Sequence, residues 1–446
     1  AKMALGWWEI IDAKAIQGVI ERVKRQEADV LPDLVGLLGL RQRMVRYEKF
    51  PSELLPALDE CILSFDYTPT EARHFDLGLE CNQILLYAAQ ILAGQVYSKA
   101  TFAASGLTGR RERTRGEKLA TAWLRQHAQT GFALWHSYTE LLVVALSHLA
   151  DLAANQAVHE LSAVLLDKIL VGLALGSLRG TFGVSRGHAY TSWLRSGRFA
   201  PESSLNRLLW GLGSHEAGIK GVVSLGLAGK GYEMPEIIRS IALDVAPEAW
   251  SRERHRLEGD EYVTIASYKT PDYMLSSAQD YRAGQRGRRE HIWQATLSPE
   301  ALVFTNHPLC FSQADGQMAG WWAGNASLPR VVQRKDALIA IYNLPDDAWL
   351  GFTHAYFPCF AFDEHVIENG WAFARKGNAY LALCAAQGMQ LVEKGDDAYR
   401  ELRSMGRQNV WLCQMGRAEI DGGFAEFRAR VTAQPPKVDG LHVEWE

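Results

Sequence analysis

The stretch "VAPEAWSRERHRLEGD" spans residues 245–260, and the spacing of apolar residues changes across it. Before it, they recur at helical spacing around 13–25, 29–47, 52–64, 77–97, 116–129, 133–154, 157–178 and 203–212, joined by short polar or glycine-bearing loops. After it come short runs rich in β-branched and aromatic residues: "EYVTIASY", "HIWQATL", "ALVFTNH", "DALIAIYNL", "LGFTHAYF", "GWAFARK", "YLALCAA", "NVWLCQM" and "FAEFRARV". Turn signals such as "NLPDD" and "EIDGG" separate them, which predicts an antiparallel sandwich or stacked sheets. The expected organisation is α+β in two domains, helical over 1–250 and antiparallel β over 251–446.

Composition suits that division. The chain has 446 residues, 48% hydrophobic and 22% charged, enough for two ordinary globular cores. Its 47 Lys+Arg against 51 Asp+Glu leave −4, so nothing global argues for a nucleic-acid partner, and any anion-binding surface must be local. The six cysteines, at 61, 81, 310, 359, 384 and 413, lack CxxC spacing and lie in apolar segments, which predicts free buried thiols and a reducing compartment.

The longest apolar run, "ELSAVLLDKILVGLALGSL" (160–178), is broken by Asp167 and Lys168 and predicts no membrane span. The start "AKMALGWWEII" lacks the pattern of a signal peptide, so the expectation is a cytoplasmic protein, or an exported one whose signal was removed before Ala1. Oligomeric state is not readable.

Several stretches have the look of chemistry without its spacing. "GLAGKGYE" (226–233) has no preceding strand and no Walker Lys-Ser/Thr, and reads as a loop. "TGRRERTRGEK" (108–118) and "RAGQRGRREH" (282–291) read as solvated loops without interleaved aromatics, the second placed after Asp280 and Tyr281 where it would draw in an anionic substrate. His354 and His365 flank "AYFPCFAFDE", but no tight cluster completes a ligand set, so neither metal nor cofactor is expected. No G-x-S-x-G elbow occurs. Among fourteen tryptophans, Trp321 and Trp322 of "GWWAGNASLPR" (320–330) are adjacent in a glycine-flanked loop, which can present both rings to a sugar. Two aromatics half-buried in sandwich packing fit the same pattern.

"NQILLYAAQILAGQVY", "SGLTG", "LALGSLRGTFGVSRGHAYT", "TPDYMLSSAQDYRAGQ", "HIWQATLSPEALVFTNHP" and "GWAFARKGNAYLAL" together resemble the heparinase II/III-like polysaccharide lyases, from about residue 75 to 430. The resemblance implies an (α/α) toroid followed by an antiparallel β-sandwich, with an anionic poly- or oligosaccharide lying where the two meet. It implies β-elimination at a uronic acid, which requires a group to neutralise the carboxylate, one to take the C5 proton and one to protonate the leaving oxygen.

The family's carboxylate-holding run corresponds to Leu79-Glu80-Cys81-Asn82-Gln83, with Glu80 retained and Cys81 and Asn82 in the family's Asn and His places. Asn82 is thereby implied as a carboxylate donor, assisted by Glu80 and Gln83, although an acid and two amides also suit a helix start. In "TFGVSRGHAYT" (181–191), Arg186, His188 and Tyr190 alternate, so an extended segment would point all three to one face. Arginine forks onto carboxylates, and a tyrosine beside cationic groups has its phenolate form favoured. A buried tyrosine with a satisfied hydroxyl is the plainer alternative.

"FALWHSYTELL" (132–142) keeps Trp135 and His136 but has apolar residues where the family has later tyrosines. Tyr273, Gln279, Asp280, Tyr281, Asn306 and His307 resemble the family's sheet-side wall, with His307 as sheet-side acid/base. The expected reaction is therefore elimination with Tyr190 as acid/base, His188 and His307 assisting, and Asn82 with Arg186 on the carboxylate. Two alternatives stand beside it: a glycoside hydrolase using facing carboxylates from Glu80, Asp280 or Glu140, and a glycan-binding relative without catalysis.

Overall fold

The computed structural model describes residues 2–27, 29–68, 76–214, 223, 226–244, 246–257, 259–312 and 320–445. It is an α+β protein with several antiparallel sheets. The chain forms two compact units, one of Ala1–Gly131, Tyr138–Gly172 and Glu216–Arg239, the other of Phe132–Ser137, Leu173–His215 and Ser240–Glu446. Among the described residues, no helix is long and apolar enough to cross a membrane.

The first unit is helical. Its helices are α1 (Ala13–Lys24), α2 (Leu31–Arg43), α3 (Leu55–Ser64), α4 (Glu80–Val96), α5 (Gly109–Thr130), α6 (Thr139–Leu152) and most of α7 (Gln156–Leu175). Helix α4 packs against α2, α5 and α6, and is apolar around nearly its whole circumference after the first turn, as a helix enclosed by others must be. Deep in its packing on α5, the Gln90 amide donates 2.5 Å to the Glu112 carboxylate, both buried. Helix α5 begins eight residues before "EKLATAW", inside the basic run for which the sequence predicts a solvated loop. Its buried face there is Gly109, Glu112 and Gly116, too polar and small to register as an apolar stripe.

The second unit is built on two antiparallel sheets. Strands β3 (Ala249–Arg256), β4 (Tyr262–Lys269), β5 (Met274–Gln279), β6 (Trp293–Thr296), β7 (Leu302–Asn306), β10 (Phe352–Tyr356), β14 (Gln390–Leu391) and β15 (Glu401–Met405) make eight strands in the order β14-β15-β10-β7-β6-β5-β4-β3. Strands β8 (Arg330–Arg334), β9 (Ala337–Asn343), β11 (Glu364–Glu368), β12 (Trp371–Lys376), β13 (Ala379–Ala385) and β16 (Gln408–Arg417) make six, in the order β11-β12-β13-β16-β9-β8. A small hairpin of β1 (Ser177–Leu178) and β2 (Thr181–Phe182) precedes them.

The two sheets face each other. Trp411 of β16 donates its indole N–H to Thr353 of β10 at 2.8 Å, and the hydroxyls of Thr305 on β7 and Tyr342 on β9 lie 3.0 Å apart. Alternation then sends Phe304, Phe352 and Tyr356 to the other face of the eight-stranded sheet, where Ala189, Leu194, Trp321 and Trp322 pack on them. The outer face of the six-stranded sheet is covered by the helix Phe424–Ala433, through Phe424, Phe427 and Val431. The strand expected for that segment, "FAEFRARV", is therefore a helix. Its apolar residues fall at helical spacing, and Glu426 bonds back to the Gly423 N–H to start the helix.

Candidate active site

Three backbone segments of the sheet unit run side by side. Arg186 and His291 exchange backbone hydrogen bonds of 2.9 and 2.8 Å, and Ala189 N–H donates to the Arg289 carbonyl at 3.0 Å, so 186–189 and 289–291 form a short antiparallel pair. On the other flank, Gly187 N–H donates to the Trp135 carbonyl at 2.8 Å, and the Ser137 hydroxyl both accepts from His188 N–H (2.8 Å) and donates to its carbonyl (3.0 Å). Gly187 is needed there because a side chain would lie 3.0 Å from the Leu134 Cα and the Trp135 ring.

This arrangement brings His188, Arg289 and Tyr190 together. Arg289 Nη1 lies 3.2 Å from His188 Nε2, its guanidinium carbon lies 4.9 Å from the Tyr190 ring centre, and the rings of His188 and Tyr190 are 5.3 Å apart. Burial, followed by the Arg289 charge, lowers the His188 pKa to about 4. His188 is therefore neutral near pH 7, with its Nε2 lone pair accepting from Arg289 and its ring proton on Nδ1. Tyr190 precedes α8 (Thr191–Arg195), packs edge-on against Trp193 at 4.6 Å and is only partly buried. Among the described residues, its hydroxyl has no hydrogen-bond partner. A phenol beside a cation and a neutral imidazole can exchange a proton with a bound molecule.

Arg186 does not join them. Its Nη1 lies 2.7 Å from the Glu202 carboxylate, both side chains are almost fully buried, and its guanidinium sits over Phe182 at 4.6 Å. The expected carboxylate fork is thus already engaged by an internal acid on α9 (Pro201–Trp210). Arg289 is the cation that lies beside Tyr190. The sequence places it in a basic run that reads as solvated, yet it is 5% exposed.

His136 belongs to a second group. Its Nε2 lies 3.3 Å from Glu253 Oε2, and His255 Nε2 lies 3.4 Å from the same oxygen. Burial raises the Glu253 pKa, but the two histidines outweigh it and hold the carboxyl well below the usual range. Among the described residues these three form the one cluster with metal-ligand spacing, which the sequence did not show because His136 comes from a turn and the other two from β3. The donor chemistry does not suit a cation. Phe132 N–H donates to His255 Nδ1 at 3.1 Å, which puts the neutral ring's proton on Nε2, aimed at Glu253 instead of offering a lone pair.

His307 is 1% exposed, shares a 3.1 Å hydrogen bond with the Leu350 carbonyl through Nε2, and is lowered by burial to about 4. Its backbone N–H donates to Asn325, so its bonds go to the sheet interior and not to Tyr190. Tyr273 is buried against Tyr268 with its pKa raised by burial, and Asp280 is an exposed residue paired with Arg330 at 2.9 Å. Trp135 is buried edge-on to Tyr281 at 5.0 Å. Trp322, expected to face a sugar, is instead fully buried, stacked on His354 at 4.2 Å with its N–H on Asp397, so it presents no face to one. Trp321, stacked on Phe311, does line a pocket of about 210 Å³ with Lys394, Asp396, Glu401 and Arg403.

In the helical unit, the polar head of α4 makes local bonds. The Asn82 amide donates 2.8 Å to the Asp76 carbonyl, while Gln83 donates 2.8 Å to the Leu77 carbonyl and accepts from the Trp123 indole at 3.1 Å. Glu80 lies 3.1 Å from His127 Nε2. These bonds pin the incoming chain to the first turn of the helix.

The sequence matches no family model and no curated protein. Among solved structures, the chain is similar to a crystal structure of heparinase III at a TM-score of 0.37 and 9% identity, over 94% of this chain and 77% of that one.

Proposed function

We propose that this protein is a carbohydrate-active lyase that cleaves a uronate-containing poly- or oligosaccharide by β-elimination, its helical unit being an (α/α) toroid. The observation that carries the reading is the Tyr190 hydroxyl, unpartnered among the described residues, beside the Arg289–His188 pair. In the proposed step, Tyr190 acts as its phenolate: it takes the C5 proton to become the phenol, the C5–H electron pair becomes the C4–C5 double bond, the C4–O bond breaks, and the phenol returns the proton to the leaving oxygen, which regenerates the phenolate. Arg289 supplies positive charge toward the substrate carboxylate, and His188, neutral and bonded to it, orients it.

The test is incubation with a panel of uronans while ultraviolet absorbance and new reducing ends are followed together. Both should rise, and Tyr190→Phe should lower the rate by about 10²–10⁴-fold with the melting temperature unchanged. New reducing ends without an absorbance rise would overturn elimination and point to hydrolysis.

A further inference from the structure

We propose that the solvent face of α5 is a docking strip for a polyanionic glycan, with Arg111, Arg115, Lys118 and Arg125 as its contacts. This rests on the lyase reading for the identity of the polyanion, but on the helix itself for the strip. At 100° per residue, Arg115, Lys118 and Arg125 lie at about +40°, −20° and −40° from Arg111, an arc of roughly 80°. The buried residues Glu112, Gly116, Ala120, Trp123 and Leu124 occupy the opposite side. With a rise of about 1.5 Å per residue, the four cations stretch over roughly 21 Å of helix.

None of the four is balanced. Among the described residues, no carboxylate lies within ion-pair distance of Arg111, Arg115, Lys118 or Arg125, whereas Arg113, off the strip, pairs with Glu117 at 3.3 Å. Arg111, Lys118 and Arg125 are exposed, and Arg115 is half-buried. In a chain of net charge −4 this is a local feature. Neighbouring cations on the strip lie within about one Debye length of each other at 0.1 M salt, so their potentials add toward an extended anion. The other exposed residues on this side, Thr114, Ala122, Gln126 and Gln129, offer no ring on which a base would stack, which favours a polyuronate over a single-stranded nucleic acid.

The experiment measures binding of polygalacturonate to the full chain carrying Tyr190→Phe, so that the polymer stays uncut, across a salt series. The comparison is the same chain with Arg111→Gln, Arg115→Gln, Lys118→Gln and Arg125→Gln, glutamine being a good helix former. The expected result is a loss of about tenfold or more in affinity at low salt, with a flatter salt dependence. On the Tyr190→Phe background, equal affinity and slope, absence of salt-dependent binding, or tighter binding of DNA at matched charge would each overturn the strip. The lyase reading fails separately: polygalacturonate held by the strip but left uncut, with other uronans, by the wild-type chain leaves the strip standing. Polymer cut equally well, at unchanged KM, by the fourfold variant with Tyr190 intact leaves the lyase and removes the strip.

Discussion

Arg289 and His188, 101 residues apart in sequence, share a hydrogen-bond distance of 3.2 Å in the sheet unit. The pairing follows from the backbone bonds between 186–189 and 289–291, so the two side chains are placed by main chain and depend little on rotamer freedom. Cation and imidazole are compatible only while the imidazole stays neutral.

That gives the pH dependence its sign. The His188 pKa is lowered in the fold, to about 4, from an ordinary value near 6.5, so the unfolded chain binds the proton more readily. The stabilisation is complete above about pH 6.5 and is lost as pH falls through 4, on the order of 1–3 kcal/mol from this residue. His307, also near 4, and His148 and His291, near 3, add with the same sign. Melting temperature should fall from pH 7 to pH 4.5, and His188→Gln should flatten part of that fall. A melting temperature that rises on acidification would contradict the assignment.

Arg186 and Glu202 form a buried pair whose members are unequal to a single change. Glu202→Leu strands the guanidinium and should cost about 3–5 kcal/mol in a denaturant titration. Adding Arg186→Met to it should recover most of the loss, since an apolar pair of similar volume replaces two desolvated charges. Loss of stability in the double variant as large as in the single would show that the pair is not the cause.

For Asn82, stability and turnover separate two roles. Its amide closes the entry to α4 on the Asp76 carbonyl, so Asn82→Ala should cost roughly 0.5–2 kcal/mol of stability. If turnover per folded molecule instead drops by about 10²–10³-fold, the side chain also meets the substrate, as the lyase resemblance implies.

Zinc should leave the melting temperature unchanged. The set His136, Glu253 and His255 has the spacing of ligands, but Phe132 N–H holds the His255 tautomer that donates to Glu253. A zinc-dependent rise that Glu253→Gln abolishes would show that the ring inverts to accept the ion.

Periodicity carried the order of helices and sheets well, because long buried segments such as α4 and β13 repeat their apolar residues at the interval of their own geometry. It failed where the buried face is not apolar. Helix α5 hides behind Glu112 and Gly116, and β3 buries only His255 fully along its length. The candidate group around Tyr190 was half legible. Tyr190 and His188 stand in a quotable run, whereas Arg289 and Glu253 resemble surface charge until the partners that bury them are known. Arg289 carried one usable signal: it alternates with His291, and the two share the short pair with 186–189.

The bond from Phe132 N–H to His255 Nδ1 joins residues 123 positions apart, and Phe132 leaves the ribosome long before its acceptor. At about 5–20 residues per second, the wait is roughly 6–25 s. During it, the loop carrying Trp135 to Ser137 has its sequence neighbours on both sides in the helical unit but its own partners still untranslated. A nascent chain in that interval exposes an aromatic turn whose cover, from His188 through β3 to Tyr281, arrives only with later sequence, which makes synthesis speed and chaperone supply determinants of yield for this protein.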